Sequence, residues 1–219
     1  EVMPTEGAGN ADFRRDVATH ELTIIRNEGL YRHLRFSRPG SSCMYFDLIT
    51  WPGHLCYTGD MGTFVFRRLA DMFEFFRTDR KEQGELRINP GYWSEKLLAV
   101  DGGRRNGSAT EFDPLKFERV IKEYLVGWLR HGGLNRKERS ELRAEVQSEI
   151  LDYIDEDERG NFDRAYSFST EVGGREVQFE DLFDYTFTKY TNTFLWCCYA
   201  LSWGIQQYDL IEPELEKSA

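Results

Sequence analysis

The chain is 219 residues long, 40% hydrophobic, 30% charged and 15% aromatic, with 38 acidic and 28 basic residues for a net charge of −10. That length suits one large domain or two small ones around a sizeable core, and 16 Phe, 11 Tyr and 5 Trp exclude general disorder. The charge is lopsided: residues 1–110 hold 15 acids and 15 bases, while the stretch Glu145 to Asp184 holds 13 acids and 3 bases, a field that repels nucleic acid and anionic membranes and attracts basic protein surfaces.

Residues 4–12 are small and polar and predict an arm, with Asn10 or Asp12 capping a short helix through Thr19. A strand-rich block follows. Glu21–Arg26 and Leu30–Ser37 flank a turn at Asn27-Glu28-Gly29. Leu34 and Phe36, Met44, Phe46 and Leu48, Leu55 and Tyr57, then Phe64 and Phe66, alternate with polar residues between turn-forming separators. This predicts a five-stranded antiparallel meander. Leu69, Met72, Phe73 and Phe76 have helical spacing and predict a helix lying on that sheet. Residues 78–91, with Gly84 and Asn89-Pro90-Gly91, read as a connection, and Tyr92–Val100 as a short helix. Asp101–Thr110 is the most linker-like segment, and the charge balance changes immediately after it.

The remainder reads as helical. Asp113 caps a helix with Pro114 at its first position, and Gly132-Gly133 ends it. Asn135 caps the next, with Glu138 three residues on as in a capping box. Together they predict a helical hairpin over 113–155. Tyr166–Thr170 and Arg175–Phe179 flank Gly173-Gly174 as a second small hairpin, and helix is expected again from Phe179. Within it, Phe194–Ile205 is apolar nearly all round and predicts a central buried helix that, with the Leu69 helix, covers the N-terminal sheet. The expected fold is α+β, with an antiparallel meander and its helices at 13–100 and an acidic helical region at 111–219, the two packed as one compact unit.

Residues with chemical potential are scattered. Asp155-Glu156-Asp157-Glu158-Arg159-Gly160-Asn161-Phe162-Asp163 resembles a calcium loop but has Arg159 at a ligand position and Tyr166 where the bidentate Glu belongs. It predicts an acidic helix end with a glycine turn. Cys43, His54 and Cys56 lack a fourth zinc ligand and paired spacing, so no metal is expected. The local signatures of cysteine nucleophiles, serine elbows, phosphate loops and dinucleotide folds are absent, and no cofactor is expected. An enzyme remains the alternative, a hydrolase-like site on the sheet around Asp47, His54 and Asp60, near Trp51. Arg26, Arg32, Arg35 and Arg38, interleaved with Tyr31 and Phe36, have a nucleic-acid-binding pattern. In so acidic a chain they are expected instead to pair with its own acidic half or with another subunit, as in a homodimer. The four cysteines suit a reducing compartment. With no opening signal sequence and no apolar run of about 18 residues, a cytoplasmic protein outside the membrane is expected.

The segments FDLITWPGHLC (46–56), GDMGTFVF (59–66) and DMFEFF (71–76) resemble an uncharacterised family of proteins encoded in bacteriophages and prophages. The resemblance covers the first half of the chain and implies a phage setting without a mechanism. Acidic proteins in that setting bind and block host defence complexes. The expected function is therefore a phage-derived, non-catalytic binding protein in the host cytoplasm, anti-CRISPR-like. It would engage a basic surface of a host complex through Asp152, Asp155, Glu156, Asp157, Glu158 and Asp163.

Overall fold

The computed structural model describes residues 9–78, 86–101 and 108–216. Most of the expected N-terminal arm, the part of the connection around Gly84 and the centre of the glycine-rich linker lie outside the described residues. In chain order the elements are α1 (Asn10–Asp16), β1 (Glu21–Glu28), β2 (Tyr31–Ser37), β3 (Phe46–Trp51), β4 (His54–Gly59), β5 (Gly62–Arg67), α2 (Met72–Arg77), α3 (Pro90–Ser94), β6 (Leu97–Val100), β7 (Thr110–Phe112), α4 (Pro114–His131), α5 (Arg136–Glu149), α6 (Glu158–Ser167), β8 (Ser169–Val172), β9 (Arg175–Gln178), β10 (Thr188–Tyr190) and α7 (Asn192–Glu216). The fold is α+β. The chain divides into two units, Glu1–Thr110 with Tyr190–Ala219, and Glu111–Lys189. The division at 110/111 coincides with the change in charge. Residues 190–219, read from sequence as part of the acidic region, belong instead to the first unit.

The first unit is a six-stranded antiparallel sheet in chain order, β1-β2-β3-β4-β5-β6. The first five strands follow one another through short connections, because antiparallel neighbours need only a turn between them, and β6 joins after the longer passage through α2 and α3. Gly29 and Gly53 supply two of those turns with φ of 61° and 82°, values that glycine adopts without steric cost. One face carries the alternating apolar residues; Leu34, Phe36, Phe46, Leu48, Tyr57 and Phe64 are all fully buried. What buries them is α7. Trp196 lies edge-on to Phe46 at 5.7 Å, Trp203 edge-on to Phe36 at 5.4 Å, and Phe194 beside Phe64 at 5.4 Å. The segment Phe194–Ile205 is the central buried helix its composition predicts. α1 joins the same core through Phe13, and Trp196 Nε1 donates to Asp16 Oδ2 at 3.0 Å.

Two local predictions change. The expected helix at 92–100 is a single short helix, α3, capped by Asn89 with Pro90 in its first turn, followed by the sixth strand. Phe64 pairs with Val100 and Phe66 with Leu97. Leu97–Val100 is too short and too uniformly apolar for its period to separate helix from strand. The helix expected from Leu69 begins later, because the Asp71 carboxylate accepts from Phe73 N at 2.9 Å and caps α2 there. Leu69 is left 42% exposed, outside the stripe.

The second unit is built on α4 and α5, with Phe117, Ile121, Leu142, Val146 and Ala165 fully buried between its elements. Both helix starts follow the sequence. Asp113 accepts from Leu115 N and Lys116 N, and the Asn135–Glu138 capping box is complete. β8 and β9 form the small hairpin across Gly173-Gly174. The helix expected from Phe179 does not form there. A short 3-10 turn at Leu182–Asp184 and β10 intervene before α7. β7 and β10 pair as a two-stranded sheet where the chain passes between the units.

Gly204 faces the sheet: a Cβ there would stand 2.9 Å from Leu48 Cδ1 and 3.2 Å from the Phe36 ring. Alanine gains about 1 kcal/mol of helix propensity over glycine, enough to offset a small shift of Leu48. The two further methyl groups of valine have no such room. Gly204→Val should therefore destabilise by about 2–3 kcal/mol and Gly204→Ala should stay within about 1 kcal/mol of wild type, as measured by urea unfolding. A valine variant as stable as wild type would mean that α7 does not lie this close to the sheet.

Candidate functional site

The second face of the six-stranded sheet carries the residues that suggested an enzyme. Asp47 alternates with the buried Phe46 and Leu48 on β3 and therefore points to this face. It is nevertheless only 4% exposed, because two neighbours on β2 cover it. Arg35, its register partner, donates to it through Nε and Nη2 at 2.8 and 2.9 Å, and His33 Nε2 lies 2.9 Å from Oδ2. Burial alone would raise the Asp47 pKa, but the Arg35 and His33 contacts outweigh it and hold the carboxyl below the usual carboxylate range.

His54 and Asp60 sit elsewhere. His54 begins β4, stacks on Trp51 at 5.0 Å and has Nδ1 3.0 Å from the Pro52 carbonyl. Asp60 lies in the turn after β4, where its carboxylate accepts from Met44 N at 2.9 Å. Asp47 pairs with Thr58, four residues along β4 from His54, a separation of about 13 Å at strand rise. The three groups do not converge on one point. Cys56 shares this face with His54. Burial, and then the Asp47 charge, push its thiol up, which disfavours the thiolate a nucleophile needs. Cys43 is exposed in the loop before β3. Among the described residues no group of three or more His, Cys, Asp or Glu side chains is placed to hold a metal ion.

Arg26, Arg32 and Arg35 find acids within their own unit, not in the acidic half. Arg26 meets Glu28 at 2.6 Å and lies over the Tyr31 ring. Arg32, 7% exposed, makes two 2.9 Å bonds to the Asp71 carboxylate and lies over Phe73 and Tyr208. Arg35 takes Asp47, and Arg38 donates to Ser41 Oγ at 3.5 Å. The interleaved pattern of arginine and aromatic residues is thus used largely to build the fold, with Arg32 the clearest case.

The acidic stretch is different. Asp152, Asp155, Glu156, Asp157, Glu158 and Asp163 are all exposed. The calcium-like pattern is held from inside by Asn161, 1% exposed, whose Nδ2 donates to the carbonyls of Asp155 and Asp157 at 2.9 Å each. The Asp155 carboxylate accepts from Asp157 N at 2.9 Å, so it is spent on the loop. Gly160 is not a turn residue; it lies in the first turn of α6. Asp152 accepts from Gln147 Nε2 at 2.6 Å, and Asp163 faces Arg159 at 3.7 Å with both side chains more than 70% exposed. At such exposure an ion pair contributes little. The second unit holds 19 acidic and 12 basic residues, a net of −7.

Sequence reasoning passed over a set of exposed aromatics in this unit. Tyr153, Tyr166, Phe183 and Tyr185 are 56%, 73%, 75% and 44% exposed. Tyr166 drew attention only as the residue that fails the calcium pattern, and Phe183 was read into a helix. Phe183 and Tyr185 are exposed by an irregular backbone that no periodicity announces, while Tyr166 projects from α6.

No protein-family model, curated protein or solved structure matches the chain. Among the described residues no helix is long and apolar enough to cross a membrane.

The depressed pKa of Asp47 sets a pH dependence. Its contribution is fully present above the unfolded-state pKa of about 4 and is lost as pH falls through the lower folded-state value. Asp47→Asn should cost about 1–2 kcal/mol at neutral pH, and the difference from wild type should shrink as pH drops to about 3. Thermal unfolding across that range measures it; a difference that does not change with pH would show that the ionised Asp47 is not what Arg35 and His33 stabilise.

Proposed function

We propose that the protein is a non-catalytic binding protein that engages a basic surface of another protein complex through its acidic unit. The observation that supports this most strongly is the cluster of six exposed carboxylates between Asp152 and Asp163, on a 3-10 turn, the loop after it and the first turns of α6. Exposed like charges this close repel one another, and a cationic partner relieves that repulsion. Asp155 supports the loop from within, while Glu156, Glu158 and Asp163 present charge outward.

The resemblance of residues 46–76 to phage-encoded proteins supplies the setting. The partner is then a host complex with a basic, nucleic-acid-binding face, such as a CRISPR effector. The acidic surface takes the place of phosphates and blocks antiphage defence in the host cytoplasm. Binding of nucleic acid by this unit is opposed by the same charge.

Reversing Glu156, Glu158 and Asp163 to Lys changes the presented charge while leaving Asp155 and the Asn161 anchor intact. Affinity capture from bacterial lysate at low salt, followed by mass spectrometry, should return a basic-faced complex with wild type and lose it with this variant. Equal recovery by both proteins would contradict the electrostatic basis of binding.

A further inference from the structure

Charge alone does not distinguish one basic surface from another, because lysine and arginine carry the same charge. The rings beside the carboxylates do. Phe162 and Tyr166 are one turn apart on α6, and Phe183 stacks on Phe162 with centroids 5.6 Å apart and planes inclined by 15°. Tyr166 stands 6.3 Å from Phe183. The base of this platform is fixed, since Phe162 also packs on the buried rings of Phe117 and Phe187 at 5.7 and 5.5 Å. Its top is open, with Tyr166 and Phe183 73% and 75% exposed.

The backbone that presents Phe183 is unusual. Asp181 adopts φ 55° and ψ 26°, the left-handed region that non-glycine residues seldom occupy. The 3-10 turn that follows buries Leu182 and turns Phe183 outward. Carboxylates adjoin the rings along the chain. Glu158 precedes Phe162 by one turn on α6, Asp163 follows it, and Asp184 adjoins Phe183. Arg159 on the same helix is drawn to Asp163.

Resting on the acidic-surface function proposed above, we propose that this platform takes an arginine-rich segment of the partner protein. Guanidinium groups lie on Tyr166 and Phe183, and the carboxylates of Glu158, Asp163 and Asp184 accept their N–H groups. A planar, weakly hydrated guanidinium stacks on rings and binds carboxylates in a bidentate manner, whereas a lysine ammonium remains a hydrated point charge. The chain itself uses the same chemistry: Arg164 lies over the Tyr153 ring at 5.2 Å. Rings of this kind, rigid below and open above, are the usual anchors of protein interfaces.

The test measures fluorescence anisotropy of labelled oligoarginine and oligolysine peptides of equal length, titrated with the full chain. Wild type should bind oligoarginine about tenfold more tightly than oligolysine. The double variant Y166A/F183A should bind both peptides at the oligolysine level. Both positions are exposed, so its thermal unfolding should match wild type. The charge-reversed E156K/E158K/D163K should weaken both peptides together. Equal binding of the two peptides by wild type, or an arginine preference that survives Y166A/F183A, would overturn the platform while leaving the acidic surface standing. Binding of neither peptide would contradict the acidic-surface function itself, and the platform with it.

Discussion

The packing of α7 on one face of the six-stranded sheet is the interaction on which the rest of the architecture depends. Each large apolar side chain buried there contributes about 1.5–3 kcal/mol, and the contact sets Trp196, Trp203 and Phe194 against Phe46, Phe36 and Phe64. Gly204 lets the helix approach Leu48 closely. Because α7 follows residues 111–189, the sheet unit is complete only when the chain has returned to it. Residues 111–189 are therefore an insertion between two parts of one unit, with β7 and β10 paired where the chain leaves and returns.

That arrangement separates two uses of charge. In the sheet unit, Arg32, Arg35 and Arg77 are each matched to a carboxylate, Asp71, Asp47 and Asp209, within 2.5 to 2.9 Å. The pairs are partly or largely screened from water, where an unpartnered member would be costly. In the inserted unit the carboxylates between Asp152 and Asp163 lie in water, with long or single contacts. The first pattern holds a fold together. The second leaves a field free to act on something else.

The parts of this division that were legible in the sequence are those governed by neighbours in the chain. Asp113 with Pro114, and Asn135 with Glu138, are local side-chain-to-backbone contacts, so both helix starts could be read. The alternation from Leu34 to Phe66 is visible because only one face of those strands packs in the apolar core. Leu97–Val100 was misread because four apolar residues fit either period, and Leu69 because the cap at Asp71 competed with an apolar stripe. That α7 covers the sheet was legible from its all-round apolar composition; which residues it meets was not, since they lie more than a hundred positions earlier. Nor was the pairing of Asp47 with Arg35 and His33, which depends on the register between β2 and β3. The charge of 145–184 was plain in the sequence, but its combination with Tyr166 and Phe183 was not. That depends on the strained turn at Asp181 and on the stack over Phe162.

The central claim is that the inserted unit makes the contact while the sheet unit carries it. Hydrogen–deuterium exchange of the intact chain, with and without saturating oligoarginine peptide, tests this most directly. Slowed exchange confined to residues 153–187, with β1–β6 and α7 unchanged, is the expected result. Protection centred instead on the sheet around His33, Trp51 and His54 would contradict it and return attention to that face as the working surface.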